Sequence, residues 1–274
     1  MTVNSMRCSG GIPWGSGRLG WLRECWGPCR EAVTGTALNI LADGPTTVFD
    51  EVGLLEVELS DGEHWLESRD DAALGNVANL AAIGSEVIQF GRAIPTGDRQ
   101  FRLERLSRGR FGTEWAMASH GPNETFVLIQ PGTLQEIALP PSAIGAAISV
   151  RPRGLADDDS QPIEGVVTGE AMRPPSPVDL QAEVQGDGSL SLAWTRRSRL
   201  GWAWPSSDPP LGESAERYRL MVQGAAATLS LTANEPRALI SAESLNGMTG
   251  SVTVTVVQVG DFAESRPVTA TITL

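Results

Sequence analysis

Residues 177–194 read PVDLQAEVQGDGSLSLAW and decide the fold of the C-terminal part of the chain. Apolar and polar residues alternate on both sides of a Gly186-Asp187-Gly188 turn. The alternating apolar residues are Val178, Leu180, Ala182, Val184, Leu190, Leu192 and Trp194. Because successive side chains of a strand point to opposite faces of a sheet, the pattern predicts a hairpin of two half-buried strands.

The same alternation continues to the end of the sequence. It recurs at Tyr218, Leu220 and Val222, at Val252, Val254 and Val256, and at Val268, Ala270, Ile272 and Leu274. About seven short strands, with a tryptophan on an early strand and a tyrosine on a middle one, are typical of an immunoglobulin-like sandwich. The opening Pro-Ser-Pro-Val and the strand DGSLSLAW resemble a fibronectin type III module, so residues 178–274 are expected to form such a sandwich.

Residues 33–150 predict a second all-β domain. The predicted strands are 54–59, 86–93, 100–106, 126–129 and 135–139, separated by turns rich in glycine and proline. Residues 70–82 are rich in alanine and leucine after an acidic start, and they predict a short helix. The spacing of strands and turns favours a small β-barrel or sandwich.

Two segments lie outside these domains. Residues 1–32 hold three of the eight tryptophans among glycines, and we expect an irregular N-terminal segment. Residues 151–177 carry three consecutive aspartates and a run of prolines, which predicts a solvated loop and a stiff linker with a boundary near Pro175.

Composition limits the classes of partner. The formal net charge is -12, so an anionic nucleic acid is not an expected partner. No apolar stretch is long enough for a membrane-spanning helix, and the N-terminus lacks the apolar core of a signal peptide. Every basic residue is arginine, which pairs with carboxylates and stacks on aromatic rings, although codon bias gives the same composition.

Residue types that carry catalysis are sparse. His64 and His120 are the two histidines, and neither lies in a recognised nucleophile motif. Cys8, Cys25 and Cys29 lack the paired spacing of a zinc site, and reduced thiols are the simpler interpretation. The sequence therefore predicts a protein that is not an enzyme and has no metal site and no cofactor.

Two arginine-rich segments are candidate contact sites. Residues 99–115 include five arginines, which suit an anionic glycan or an acidic partner, or else form the charged outer face of a strand. Residues 194–211, WTRRSRLGWAWPSSDPPL, offer tryptophans for stacking on sugar, for a protein interface or for the end of the core. The candidate contact residues are Trp202, Trp204, Arg196, Arg197, Arg199, Arg108, Arg110 and Trp115.

The same segments carry a family resemblance. GSEVIQFGRA (84–93), RQFRLERLSRGRFGTEWA (99–116) with His120 and FVLI, RPPSPVDL (173–180) and WTRRSRLGWAWPSSDPPLGESAERYR (194–219) resemble the C-terminal part of the tail hub protein of gene transfer agents and related siphophages. The likeness covers residues 33–223 well. Such hubs are usually far longer, so the roles of their upstream domains do not transfer to this chain.

The resemblance implies a structural protein of a virion. We expect it at the distal tail tip, in the baseplate hub, assembled in the host cytoplasm with other tail proteins and as a homotrimer in the particle. We expect it to function in assembly and host-cell attachment. The alternative is a tail protein that binds carbohydrate on the host surface through its tryptophans, and an enzyme that degrades the cell envelope is a third, less favoured hypothesis.

Overall fold

The computed structural model describes residues 5–9, 11–14, 18–21, 25–28, 31–134, 139–153, 161–200, 209–245 and 247–274. The chain divides into two compact units, Met1–Glu170 and Ala171–Leu274. Both are built almost entirely of antiparallel strands, which confirms the predicted all-β class. No helix in the described ranges is long and apolar enough to cross a bilayer.

In its described residues, the first unit contains one α-helix and short 3-10 turns besides its strands. The strands are β1 (Ser5–Ser9), β2 (Gly11–Trp14), β3 (Arg18–Trp21), β4 (Cys25–Pro28), β5 (Thr34–Ala37), β6 (Asp50–Leu59), β7 (Leu80–Ile83), β8 (Glu86–Gly97), β9 (Gln100–Ser107), β10 (Thr125–Leu128), β11 (Ala147–Arg153) and β12 (Ile163–Val166). The helix is α1 (Asp71–Gly75), and the 3-10 turns are Arg110–Gly112, Glu114–Ser119 and Pro141–Ala143. A further 3-10 turn, Glu170–Met172, lies at the division between the units.

Six of these strands close into a barrel, which is one of the two architectures that the sequence predicted. The order around the barrel is β10-β5-β6-β9-β8-β7, with every pair antiparallel. Alternate residues of β6 and β9, such as Leu55, Val57, Phe101 and Leu103, are buried inside. The interior is filled by aliphatic and phenylalanine side chains, as expected for a small barrel without a channel.

The helix is shorter than the sequence predicted. The side chain of Asp70 accepts a hydrogen bond from the backbone of Ala73, so the helix starts where expected. It ends at Gly75, and Val77 and Asn79 adopt positive φ before β7 begins. The prediction of helix over 76–82 was wrong because β7 pairs with both β8 and β10 and closes the barrel.

Strands also occur where irregular chain was expected. Strands β1 and β4 join β11 and β12 in a four-stranded sheet, and β2 pairs with β3. The expectation that residues 1–32 are irregular therefore missed four short strands. Similarly, β12 lies within the expected linker 151–177, because its backbone pairs with β11 from Ile163 to Val166. Residues 135–138 of the predicted strand 135–139 lie outside the described residues.

The second unit is a sandwich of two sheets. Its strands are β13 (Val178–Val184), β14 (Leu190–Thr195), β15 (Tyr218–Gln223), β16 (Thr228–Ala233), β17 (Arg237–Ile240), β18 (Ser251–Gln258) and β19 (Val268–Thr273). The sheet orders are β13-β14-β17 and β16-β15-β18-β19. Trp194 and Tyr218 meet edge to face in the core, with ring centroids 4.9 Å apart. The predicted immunoglobulin-like sandwich is confirmed.

Candidate functional site

The connection between β14 and β15, residues 196–217, carries three of the predicted contact arginines. Arg196 donates from Nη2 to the carbonyl of Pro209 at 2.8 Å and from Nη1 to the carbonyl of Pro210 at 3.3 Å. Arg199 donates from Nη2 to the carbonyl of Gly212 at 2.6 Å. These bonds join the two ends of one long loop, which we call the braced loop.

The braced loop is also tied to the connection between β18 and β19. Nε of Arg199 donates to Oε1 of Glu213 at 2.7 Å, and Oε2 of Glu213 accepts from the backbone N–H of Asp261 at 2.9 Å. The backbone N–H of Ser214 donates to Oδ2 of Asp261 at 2.9 Å, and its hydroxyl donates to Oδ1. The hydrogen bonds from Ser214, helped by the positive charges of Arg199 and Arg217, lower the pKa of Asp261.

The predicted contact residues of this segment therefore differ in what the structure shows of them. Arg196 and Arg199 are half-buried and brace the loop with their guanidinium groups. Arg197 is half-buried on the same loop. Trp202 and Trp204 lie between the braced ends in sequence, but residues 201–208 are outside the described part of the chain.

Arg108 was predicted as a contact residue, and the structure corrects this prediction. Its side chain is fully buried, with Nε and Nη2 donating to the two carboxylate oxygens of Glu86 at 2.9 and 2.8 Å. Nη1 donates to the carbonyl of Ala42 at 2.7 Å. A buried guanidinium committed to a bidentate pair holds the barrel together and has no surface to offer a partner.

The neighbouring candidates lie in the turns that follow β9. Arg110 is half-buried in the first 3-10 turn, and Trp115, in the next one, is 39% exposed beside the similarly exposed Phe111. Both residues make further contacts. Arg110 and Trp115 thus lie in successive 3-10 turns, and Trp115 is partly exposed.

The other arginines of residues 99–115 form the charged outer face that the sequence offered as an alternative. Nη2 of Arg99 pairs with Glu58 at 3.0 Å, and Nε of Arg102 pairs with Glu104 at 2.8 Å. Arg105 pairs with Glu51 and Asp71, and its guanidinium carbon lies 4.2 Å from the ring centroid of Phe49. Phe101 and Leu103 occupy the inner face of the strand.

Sequence reasoning missed a role for His120. Its buried ring contacts two carboxylates: Nε2 lies 2.7 Å from Oε2 of Glu86, and Nδ1 lies 2.5 Å from Oε2 of Glu124. The available signals were Glu86 and Gln89, two polar residues within an apolar strand. We call Asp50, Glu86, Arg108, His120 and Glu124 the barrel ionic cluster.

The barrel ionic cluster is held together by ion pairs. Glu86 and the ring of His120 are enclosed by the protein, with side-chain exposures of 0% and 2%. Among the described residues, no group of three or more histidine, cysteine or acidic side chains is placed to hold a metal ion.

Comparisons with known proteins bear on the two units separately. Residues 32–127 match the family model described as Rcc01698-like, C-terminal. No curated protein matches the chain. The match spans the strands of the barrel from β5 to β10.

Solved structures similar to this chain include modules of the fibronectin type III and immunoglobulin classes. A segment of two fibronectin type III domains from chicken tenascin has 12% identity and a TM-score of 0.28, covering 87% of this chain and 99% of that one. Domains A168–A170 of titin have 15% identity and a TM-score of 0.28, covering 98% and 74%. Domains d3–d4 of the rat CD45 extracellular region have 8% identity and a TM-score of 0.30, covering 53% and 73%. Residues 32–127 are thus similar to the C-terminal region of Rcc01698-like proteins. The sandwich is identified from its own strand order.

Proposed function

We propose that this protein is a structural component of the tail tip or baseplate hub of a phage or phage-like particle, and that it acts in assembly and host-cell attachment. The observation that carries the proposal is the match of residues 32–127 to the Rcc01698-like C-terminal family. The sequence resemblance to tail hub proteins of gene transfer agents covers residues 33–223 and so overlaps this match. The proposed location is the distal end of the tail.

The use of charged side chains supports an architectural role. Arg108, Glu86 and His120, which include the catalytic residue types, are buried and paired with one another. On the outer face of β9, Arg102 is paired with Glu104 of the same strand. Charged side chains that pair within the β domains stabilise their folds, and stable folds are suited to a role in assembly.

Immunogold electron microscopy of intact particles tests the proposed location. Antibodies against the barrel and against the sandwich, raised separately, guard against one epitope being covered. We expect gold at the distal tail tip with at least one of them. Gold along the tail or on the capsid, or unlabelled particles that also lack the chain by mass spectrometry, would contradict the proposal.

The braced loop favours a second candidate function, which is binding of a host surface glycan. Arg196 and Arg199 hold the ends of the loop, and Trp202 and Trp204 lie between those ends in the sequence. A loop with fixed ends loses less entropy when its tip binds a ligand. Indole rings are suited to stacking on sugar rings.

The double substitution Trp202→Ala with Trp204→Ala tests this second function. Leu239→Ala, which removes an exposed apolar side chain of β17, is the matched control. We expect the double variant to lose adsorption of particles and binding of purified host polysaccharide, while the control retains both. Loss of adsorption with unchanged polysaccharide binding would assign the tryptophans to a protein contact instead.

A further inference from the structure

A cleft opens in the barrel wall where β5 ends and β6 begins. It has a volume of about 550 Å³ and is lined by residues drawn from 39–45 and 49–54. The side chain of Asn39 donates to the carbonyl of Leu54 and accepts from the backbone N–H of Glu56, so it continues the pairing of β5 with β6. Beyond Asn39, the pairing of β6 with β9 shifts register between Asp50 and Leu54. Both stretches line what we call the Asp50 cleft.

The walls of the Asp50 cleft are apolar and open to solvent. Val52 is 91% exposed and Ile40 is 55% exposed, and Leu54 is exposed beside them. Scattered exposed aliphatic residues are normal, but several around one concave site are typical of an interaction surface. The walls are therefore suited to apolar atoms of a partner.

The floor of the cleft is a carboxylate. Asp50 is 4% exposed, and its Oδ1 accepts from the backbone N–H groups of Val52 at 3.1 Å and Gly53 at 2.7 Å. Oδ2 lies 3.6 Å from Nη1 of Arg108, which is beyond hydrogen-bond distance. A Cβ atom added at Gly44 or Gly53 would lie 2.5 or 2.2 Å from Oδ2, so any side chain at either position would collide with that oxygen.

Within the barrel ionic cluster, which includes Asp50, carboxylates outnumber cations. Arg108 is already committed to Glu86 in a bidentate pair. Glu86 and Glu124 share His120, so even a doubly protonated histidine leaves three carboxylates facing two cations in the barrel ionic cluster. Asp43, exposed on the cleft wall, adds a further negative charge. A buried carboxylate in such surroundings is stabilised by an additional cation.

We propose that the Asp50 cleft binds a basic side chain, arginine or lysine, from an extended segment of a neighbouring subunit. The charged end of that side chain donates to Oδ2 of Asp50, and apolar residues on either side of it pack against Ile40, Val52 and Leu54. Basic side chains bury their methylene groups along apolar surface in this way. The inference rests on the proposed function for the kind of partner, but the site itself stands on the geometry of the cleft.

Binding of a defined peptide to the full chain tests the proposal. The probe is acetyl-Gly-Val-Arg-Val-Gly-amide, followed by two-dimensional amide NMR of the labelled protein. Its control is the same peptide with citrulline in place of arginine, which keeps the shape and removes the charge. We expect the arginine peptide to shift the amide signals of Gly44, Val52 and Gly53, and the citrulline peptide to bind at least about tenfold more weakly.

Variants of the cleft sharpen the test. Val52→Ser removes an exposed wall side chain without touching the interior, and we expect it to weaken peptide binding several-fold. Val48→Ser, at another exposed valine that does not line the cleft, is the matched control and should leave binding unchanged. Asp50→Asn should abolish the preference for arginine over citrulline, and its amide spectrum reports whether the barrel remains folded.

Several results would overturn the proposal. Equal binding of the two peptides, no shift at millimolar peptide, or unchanged binding by Val52→Ser would each remove the basic side chain from the cleft. Self-association of the chain that Val52→Asp abolishes would assign the cleft to a second copy instead. Because the peptide experiment needs no particle, its failure alongside gold at the tail tip would leave the proposed function standing.

Discussion

The barrel and the sandwich solve the same packing problem with different chemistry. The barrel interior contains aliphatic and aromatic side chains and also the fully enclosed pair of Arg108 and Glu86. The sandwich interior is organised around Trp194 and Tyr218, and the ion pair of Arg199 with Glu213 lies in a loop. Burial and the hydrogen bond that Tyr218 donates to Glu216 raise the pKa of this tyrosine, so it remains neutral.

The two cores therefore differ in which substitutions they tolerate. An apolar core tolerates exchanges of similar volume, whereas a buried ion pair tolerates the loss of neither partner. The barrel therefore depends on the identity of a few polar residues. The sandwich depends on alternation and on the volume of its core side chains.

The largest expected effect comes from breaking the buried ion pair. Arg108→Met removes the guanidinium that neutralises the buried carboxylate of Glu86 and leaves the carbonyl of Ala42 without its side-chain donor. We expect a loss of about 3–5 kcal/mol from the free energy of unfolding of the barrel. Hydrogen-exchange mass spectrometry, read on peptides from β8 and β9, measures the loss while peptides from the sandwich remain protected.

Arg102→Met is the matched control, since this arginine pairs with Glu104 on the outer face of the same strand. An exposed pair contributes at most about 1 kcal/mol, so the barrel should keep its protection. Equal effects of the two substitutions would show that burial of Arg108 does not distinguish it energetically.

The corresponding change in the sandwich is Trp194→Ala. It removes the ring that packs against Tyr218, and we expect a loss of about 3–4 kcal/mol confined to the sandwich. Leu239→Ala, on an exposed position of β17, should change stability by less than about 0.5 kcal/mol. The same exchange measurement, read on β14 and β15, checks both. Deprotection of the barrel by Trp194→Ala would contradict the independence of the two cores.

A smaller effect is expected from the turn that presents Arg108. Gly109 has a φ of 58°, and a Cβ there would lie 2.4 Å from Cγ of Glu114 and 3.0 Å from its Cα. Gly109→Ala should cost about 1–3 kcal/mol in the barrel. Gly75→Ala, at the end of α1 with open space around it, should be neutral or slightly stabilising. Urea unfolding followed by circular dichroism compares the two variants.

The smallest expected effect is the loss, at acidic pH, of the contact between Asp261 and Ser214 in the braced loop. The hydrogen bonds from Ser214 lower the pKa of Asp261 below its ordinary value of 3.8. The contact therefore stabilises the loop above that value and is lost as the pH falls through the lowered pKa. NMR titration should show the Ser214 amide signal moving at a pH below 3.8. In Asp261→Asn that step should vanish, and its persistence would mean that another group causes it.

The accuracy of sequence reasoning differed between the regions for a physical reason. Alternation along β14, β15, β18 and β19 identified the sandwich because one face of each strand packs against a single apolar core. In the barrel, β7 was mistaken for helix because the local preference of Leu80 and its neighbours was overridden by pairing with β8 and β10.

The contact residues show the same limit. Arg108 and Arg102 are both arginines of one charged segment, and the sequence gives no sign that only Arg108 is enclosed, since its partner Glu86 comes from another strand. The Asp50 cleft was not predicted either. It lies where the pairing of β6 with β9 shifts register, and no residue pattern in the sequence indicates such a shift. Long-range pairing, rather than composition, decides both features.

Closure of the barrel has a consequence for how this protein would misassemble. Each strand from β5 to β10 in the ring has a hydrogen-bonded neighbour on both sides, so the ring offers no place for a strand of another molecule. Open edges lie elsewhere in the described residues: the sandwich sheets end in β13, β17, β16 and β19, and the four-stranded sheet of the first unit ends in β12 and β4. Among these edge strands, β17 carries the exposed Leu239 and β12 the exposed Ile163. Fibrillar aggregation under stress would therefore begin at these open edges rather than at the barrel, and charged substitutions on β12 or β17 are the place to suppress it.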